Sequence, residues 1–388
     1  MRVGFLFNHD QIHQVAHSLP VALAMAARAD APEVLLISTN TRMTAELRRL
    51  AGARIDAGEL ELVEPGLRSG VSRMLAGALD GLLPARKLLV YRDHLDLFRS
   101  LDALVVTEKT SLLLKTRYGL DGLRMVHTRH GAGDRAVGFD RASAGFDLVL
   151  VAGAKIRDRL IAEAGLDPAR LEVVGYPKFD LDRFSEPSAP IFSNGRPTVL
   201  YNPHVSPHLS SWYRMGRSIL DFFVGSDRYN LIFAPHIMLF ERRFALSIDR
   251  FAIAFPGKIA ARYRRAPNLH IDLGSPRSTD MSYTNAADIY LGDVSSQIYE
   301  FLLRPRPCLF ADAHGIAWED DPSYAHWRAG PVFRDAGRLG ETLDRAVAEH
   351  ADRYAPIQRA MFEQTFDLTD EPSSERAARA ILTRFRAP

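Results

Sequence analysis

Short, apolar, β-branched runs alternate with helical segments from the first residues, and this alternation confines the chain to the α/β class. Val3–Phe7 predicts a strand, and Gln11–Arg28 places Ile12, Val15, Ala16, Leu19, Ala22 and Leu23 at helical spacing. Val34–Ser38 predicts a second strand and Thr41–Ala51 a second helix. Further strands are expected at Leu60–Val63, Ala103–Val106, Arg124–His127, Leu148–Val151 and Leu171–Val174. Strands that are apolar throughout belong to parallel sheets covered on both faces. Asp182–Pro197, with Ser-Glu-Pro-Ser-Ala-Pro and Ser-Asn-Gly-Arg-Pro, is the most turn-rich stretch and interrupts the pattern. Beyond it strands are expected at Thr198–Tyr201, Leu231–Ala234, Leu269–Asp272, Asp288–Leu291 and Cys308–Phe310. The expectation is two doubly wound α/β domains, 1–185 and 186–355, facing across a cleft. A helical segment, 356–388, would pack back on the first domain. Ligands of such sheets bind beyond the carboxyl ends of the strands.

Composition excludes several classes. With 388 residues, 47% hydrophobic and 25% charged, the chain can bury two cores and is not disordered. A formal net charge of +2 gives no electrostatic basis for nucleic-acid binding. The single cysteine, Cys308, rules out an internal disulfide framework and fits a reducing compartment. Met1–Phe7 is too short, and too soon followed by Asn8-His9-Asp10, to read as a signal peptide. No apolar run approaches the roughly 20 residues of a membrane span, so a cytoplasmic protein is expected.

Gly292-Asp293-Val294-Ser295-Ser296-Gln297-Ile298-Tyr299-Glu300-Phe301-Leu302 is the stretch richest in chemistry. It reads as the end of a strand, a tight turn and a short helix. Ser295 and Ser296 are expected in the first helical turn, where backbone N–H groups and the helix dipole favour an anion. Glu300, about one turn further, is placed to accept bonds from ribose hydroxyls. A serine also caps helices in any α/β protein, which is the plainer reading of the same residues.

Other strand ends carry matching chemistry. Thr128-Arg129-His130-Gly131-Ala132-Gly133-Asp134-Arg135 follows the strand Arg124–His127. Its glycines admit a close ligand, its arginines pair with phosphate and His130 can move a proton. Lys178, in Gly175–Asp180, would reach a phosphate across the cleft. Tyr201-Asn202-Pro203-His204 and Ala234-Pro235-His236 end two successive strands, and a proline there stops the strand and presents the histidine at the rim.

The order of these segments resembles the CDP-glycerol glycerophosphotransferases, the teichoic-acid polymerases and primases of the GT-B fold. It runs from the His-Gly loop through Gly-x-Pro-(basic)-x-Asp, strand-Pro and Pro-His to Asp-x-Ser-Ser-x-x-x-(acid)-Phe, and spans roughly His130 to Phe310. The resemblance implies an α/β fold of two Rossmann-like doubly wound domains. It implies a CDP-activated polyol donor, a hydroxyl acceptor on an envelope glycan or lipid, and no metal or other cofactor. By the same resemblance Arg129, Gly131, Ala132 and Gly133 contact the donor and His130 is the base. Lys178 replaces an arginine on the phosphate, Pro203 and His204 lie near the cytosine, and Ala234, Pro235 and His236 supply the second histidine. Ser295 and Ser296 hold the diphosphate, and Glu300 replaces an aspartate on the ribose. The loop departs from the family's Trp-His-Gly-Thr-Pro-Leu-Lys, which leaves the donor open between CDP-glycerol, another CDP-polyol and a nucleotide sugar.

Two rival enzyme classes share the layout. A nucleotide-sugar glycosyltransferase is the stronger. The UDP-N-acetylglucosamine 2-epimerases are weaker, because His127-Thr128-Arg129 puts a cation where those enzymes need an acid. A non-catalytic nucleotide-binding protein is the remaining class. His9, His13 and His17 recur every fourth residue, but His9 is expected in the loop before the helix, which leaves a zinc site without its third ligand; contact of His9 and His13 with the acceptor or cleft is the other reading. Val71–Leu95 mixes apolar and basic residues, which fits either a core-facing helix or peripheral contact with an anionic inner membrane. Arg242-Arg243 and Arg264-Arg265 read as solvated surface.

Overall fold

The computed structural model describes residues 1–8, 12–68, 70, 72, 74, 85–129, 131–134, 139–184, 191–241, 243–247 and 252–386. The chain divides into two compact units. One comprises Met1–His130, Val137–Glu186 and Gln364–Pro388, and the other Gly131–Ala136 and Pro187–Glu363.

The first unit is built on seven parallel strands: β1 (Arg2–Phe7), β2 (Glu33–Ser38), β3 (Glu61–Val63), β4 (Ala103–Val106), β5 (Arg124–Thr128), β6 (Leu148–Val151) and β7 (Leu171–Val173). They are ordered β3-β2-β1-β4-β5-β6-β7. Alternate residues of each strand serve opposite faces. Phe5, Leu36 and Val105 pack with the helices Val15–Ala26 and Ser373–Phe385, while Leu6, Leu35 and Val106 pack with Tyr91, Phe98 and Leu160. The helix Val15–Ala26 is buried from Val15 to Met25, because it is apolar on every side. It is shorter than the spacing predicts: Ile12–Gln14 is a 3₁₀ turn and residues 9–11 lie outside the description.

The second unit repeats the plan. Its six-stranded sheet contains β8 (Thr198–Asn202), β9 (Asn230–Phe233), β12 (Leu269–Ile271), β13 (Ile289–Gly292), β14 (Cys308–Ala311) and β15 (Val332–Phe333), in the order β12-β9-β8-β13-β14-β15. The pairings in this sheet are parallel. Val199, Leu231, Leu291 and Leu309 face a core completed by Trp212, Leu220, Phe223 and Leu343. In both units strand order reverses beside the first strand, between β1 and β4 and between β8 and β13. That reversal opens a crevice beyond the strand ends.

Two features escape the strand pattern of the sequence. A separate antiparallel hairpin joins β10 (Ala245–Ser247) to β11 (Ala252–Ala254), and β15 is a two-residue edge strand. Both are too short or too rich in alanine to carry an apolar signal. Among the described residues, no helix is long and apolar enough to cross a membrane.

Candidate functional site

Three strand exits converge at the reversal point of the second sheet. Register pairs Gly292 at the end of β13 with Asn202 at the end of β8. The segments that leave these strands, Pro203-His204 and Asp293–Ser296, therefore start side by side. Pro235-His236 leaves the adjoining β9, and the His236 N–H donates to Pro203 O at 3.0 Å. The imidazoles of His204 and His236 stand 5.7 Å apart, centroid to centroid.

Asp293 organises this ground. Its carboxylate accepts from His204 N (2.9 Å), Ser211 N (2.6 Å), Ser211 Oγ (2.8 Å) and Val294 N (2.6 Å). Its own carbonyl accepts from Trp327 Nε1 at 2.7 Å and faces His326 Nε2 at 3.0 Å. Burial raises the Asp293 pKa, and the donors from Ser211, His204 and Val294 oppose that rise. A buried carboxylate held by four N–H or O–H donors is a scaffold, since no face of it is left for a ligand.

The two histidines are fixed in one tautomer by the backbone. His204 Nδ1 accepts from Ser206 N at 2.9 Å, and His236 Nδ1 accepts from Met238 N at 3.3 Å. Each neutral ring therefore carries its proton on Nε2, as an N–H donor. Burial lowers the His236 pKa to about 4, so at neutral pH it offers a hydrogen bond and no charge.

The serines sit one step earlier than the sequence predicts. The helix that follows β13 runs only from Gln297 to Phe301. Ser295 Oγ accepts from Gln297 N at 3.3 Å, so it caps this helix. Ser296 occupies the N-cap position with no side-chain cap bond, and its side chain is exposed. The bonds that hold Asp293 and Val294 keep the turn from entering the helix sooner. Glu300 is buried on the same helix.

Gly131–Asp134 is laid over Ser296. Gly131 has φ +73°, and a Cβ there would stand 3.4 Å from Ser296 Oγ; one on Gly133 would stand 3.0 Å from Ser296 Cβ. Glycine permits both the left-handed backbone and this approach. Ala132 is buried. Asp134 anchors the segment: Tyr299 Oη donates to its carboxylate at 2.7 Å, His326 N donates at 3.2 Å, and His326 Nδ1 lies 3.1 Å away. Asp134, Tyr299, His326 and Ser211 are the site residues that local sequence pattern missed.

Of the remaining predicted residues, Ala234 is buried just after β9 in the second unit, and Arg129, His130 and Lys178 belong to the first. Arg129 places its guanidinium 4.8 Å from the centroid of Phe139, and burial lowers its pKa to about 10, leaving it charged at neutral pH. Lys178 is buried on the 3₁₀ helix Pro177–Phe184. His130, His9 and Arg242 lie outside the described residues, as does the His13 side chain. His17 is buried with its ring 5.3 Å from that of Tyr176, a core position. Among the described residues no group of three His, Cys, Asp or Glu could hold a metal ion. In Val71–Leu95, Val90 and Tyr91 are buried and Lys87 pairs with Glu108 at 2.8 Å, while 71, 73 and 75–84 lie outside the description.

Two doubly wound α/β units of this kind define the GT-B fold, and solved structures bear that out. The chain is similar to the wall teichoic acid polymerase TagF, in a histidine-to-asparagine variant soaked with CDPG. That match has a TM-score of 0.63 and 14% identity over 99% of this chain and 88% of that one. It is also similar to UDP-GlcNAc 2-epimerase from Neisseria meningitidis bound to UDP-GlcNAc, with TM-score 0.53 and 11% identity over 99% of both chains. The lipopolysaccharide outer core galactosyltransferase WaaB, in its apo form, gives TM-score 0.50 and 10% identity over 99% of this chain and all of that one. No family model and no curated protein matches the sequence.

Proposed function

We propose that the chain is a GT-B transferase that moves a polyol-phosphate unit, glycerol phosphate or a relative, from a CDP-activated donor to a hydroxyl of an envelope glycan or lipid. The observation that carries this reading is the convergence of His204, His236 and the Ser295-Ser296 turn on the strand reversal of the second sheet. In the proposed reaction the acceptor hydroxyl attacks the β-phosphorus of the donor. The new O–P bond forms as the bridging P–O bond breaks, and CMP leaves with the bridging oxygen. His130, the sequence neighbour of Gly131, takes the hydroxyl proton. The Nε2–H groups of His204 and His236 and the hydroxyl of Ser296 donate to the diphosphate, and such fixed donors stabilise the charge shifted to CMP.

TagF, whose solved structure was soaked with CDPG, has the same fold, which supports the donor class. Transfer of a sugar from a nucleotide sugar is the second reading. The Arg129–Arg135 loop departs from the family pattern, and its Asp134 is committed to Tyr299 and His326. A thermal-shift series with CDP-glycerol, CDP-ribitol, CMP, UDP and UDP-sugars separates the two readings. Cytidine nucleotides should stabilise the protein most, and a response confined to UDP compounds assigns the sugar reading. Replacing Ser295 and Ser296 together with valine should abolish the cytidine-dependent shift. An unchanged shift in that double variant would remove the diphosphate site from the proposal.

A further inference from the structure

The hairpin β10–β11 shows water a face that a folded protein ordinarily hides. Register pairs Ala245 with Ala254, Leu246 with Ile253 and Ser247 with Ala252. Side chains alternate along each strand, so Ser247 and the three alanines share one face, and Phe244, Ile253 and Phe255 share the other. The small face is turned inward: Ser247 is buried and its Oγ lies 2.9 Å from His208 Nδ1. The large face is turned outward, with Phe244 49%, Ile253 61% and Phe255 71% exposed. Described residues on either side of the hairpin are held by one tryptophan. Trp212 packs on Phe240 at 5.2 Å and donates from Nε1 to Pro256 O at 3.0 Å.

Charge identifies what covers such a face. From Glu241 to Arg265 the chain carries seven Arg or Lys, against Glu241 and Asp249 as its acids. Arg243, Lys258, Arg264 and Arg265 are all exposed. A second copy of the same face would bring like charges together at short range, which disfavours self-association. Aromatic and branched apolar side chains in a stretch of chain rich in exposed arginine and lysine suit the headgroup layer of an anionic bilayer, where the rings enter the acyl boundary and the cations meet lipid phosphates.

We propose that this hairpin docks the second unit on an anionic membrane surface, with Phe244, Ile253 and Phe255 inserted and the neighbouring cations on lipid phosphate. The proposal does not depend on the identity of the donor. It is tested by co-sedimentation of the full chain with vesicles of phosphatidylcholine alone or mixed with phosphatidylglycerol. Binding is expected to the mixed vesicles and to weaken as salt rises. Phe244→Ser/Ile253→Ser/Phe255→Ser should lower partitioning at least about tenfold, and Arg243→Glu/Lys258→Glu should remove the preference for phosphatidylglycerol. Should the triple variant fail to fold, Ile253→Cys labelled with a polarity-sensitive dye reads the same contact, because Cys308 is buried. Its emission should shift to the blue on adding mixed vesicles. The proposal is overturned if the unaltered chain ignores the mixed vesicles or a folded triple variant binds them equally. It is likewise overturned if the label does not respond, or if sedimentation velocity shows a dimer in solution that the triple variant dissolves.

Discussion

The two units share a strand plan and treat their points of reversal in opposite ways. In the first, the described polar groups beyond β1 and β4 are spent on one another. Asn8 Nδ2 donates to Tyr91 Oη, which lies 3.2 Å from Ser111 Oγ, and Thr107 Oγ1 donates to Gln14 Oε1 at 3.0 Å. In the second, one buried carboxylate, Asp293, absorbs the backbone and hydroxyl donors, while His204 and His236 are partly buried and Ser296 is exposed. Strand order opens a crevice in either sheet. What distinguishes the second crevice is a buried polar group, Asp293, that satisfies the framework beneath the candidate site residues.

The comparison breaks most readily at Asp293. Asp293→Ala strands the donors of His204, Ser211 and Val294 and should cost about 3–5 kcal/mol. Asn8→Ala in the first unit should cost about 1–2 kcal/mol. All three tryptophans, Trp212, Trp318 and Trp327, lie in the second unit, so the midpoint of a fluorescence-detected urea transition reports that unit. A fluorescence midpoint that moves as far for Asn8→Ala as for Asp293→Ala would erase the distinction.

Next comes acidity. His236 titrates at about 4 in the folded chain and at an ordinary 6.5 when unfolded. Above pH 6.5 both states are neutral and the residue contributes nothing to pH dependence. Between 6.5 and 4 the unfolded state gains a proton that the folded state refuses, so stability falls with pH, by up to roughly 3 kcal/mol. Melting of the wild type should drop more steeply over that window than melting of His236→Gln. Equal slopes would show that the ring is not shielded.

The smallest effect is expected at the anchor of the glycine segment. Tyr299→Phe removes the hydroxyl that donates to Asp134 and should cost about 1–2 kcal/mol. It should also speed amide exchange at Gly131 and Gly133, whereas Tyr91→Phe should leave both unchanged.

These contrasts also mark what the sequence could disclose. Apart from the two-residue β15, the strands of both main sheets were legible because runs such as Val3–Phe7 or Val199–Tyr201 are buried on both faces, a demand local sequence records. The histidines at the ends of β8 and β9 were legible because proline marks the exit. Asp134 was not, since its partners Tyr299 and His326 lie 165 and 192 residues away. Ser295 was misplaced by one step, because the bonds that hold the turn before the helix come from Ser211, His326 and Trp327, distant in sequence. The exposed face of the hairpin was hidden by its brevity: three residues per strand give alternation too few chances to register.

The path of the chain carries a consequence for dissection. Gly131–Ala136 belongs to the second unit although the sequence on either side belongs to the first, and Gln364–Pro388 returns to the first after the second is complete. No single cut in the gene yields either unit whole. A fragment starting at Pro187 would retain Tyr299 and His326 and lose the Asp134 carboxylate they hold. Recombination that exchanges one half of this chain for that of a relative must carry the six-residue stitch with it or leave a buried hydroxyl and a buried imidazole without their acceptor. The path of the chain thus ties the inheritance of one unit to that of the other.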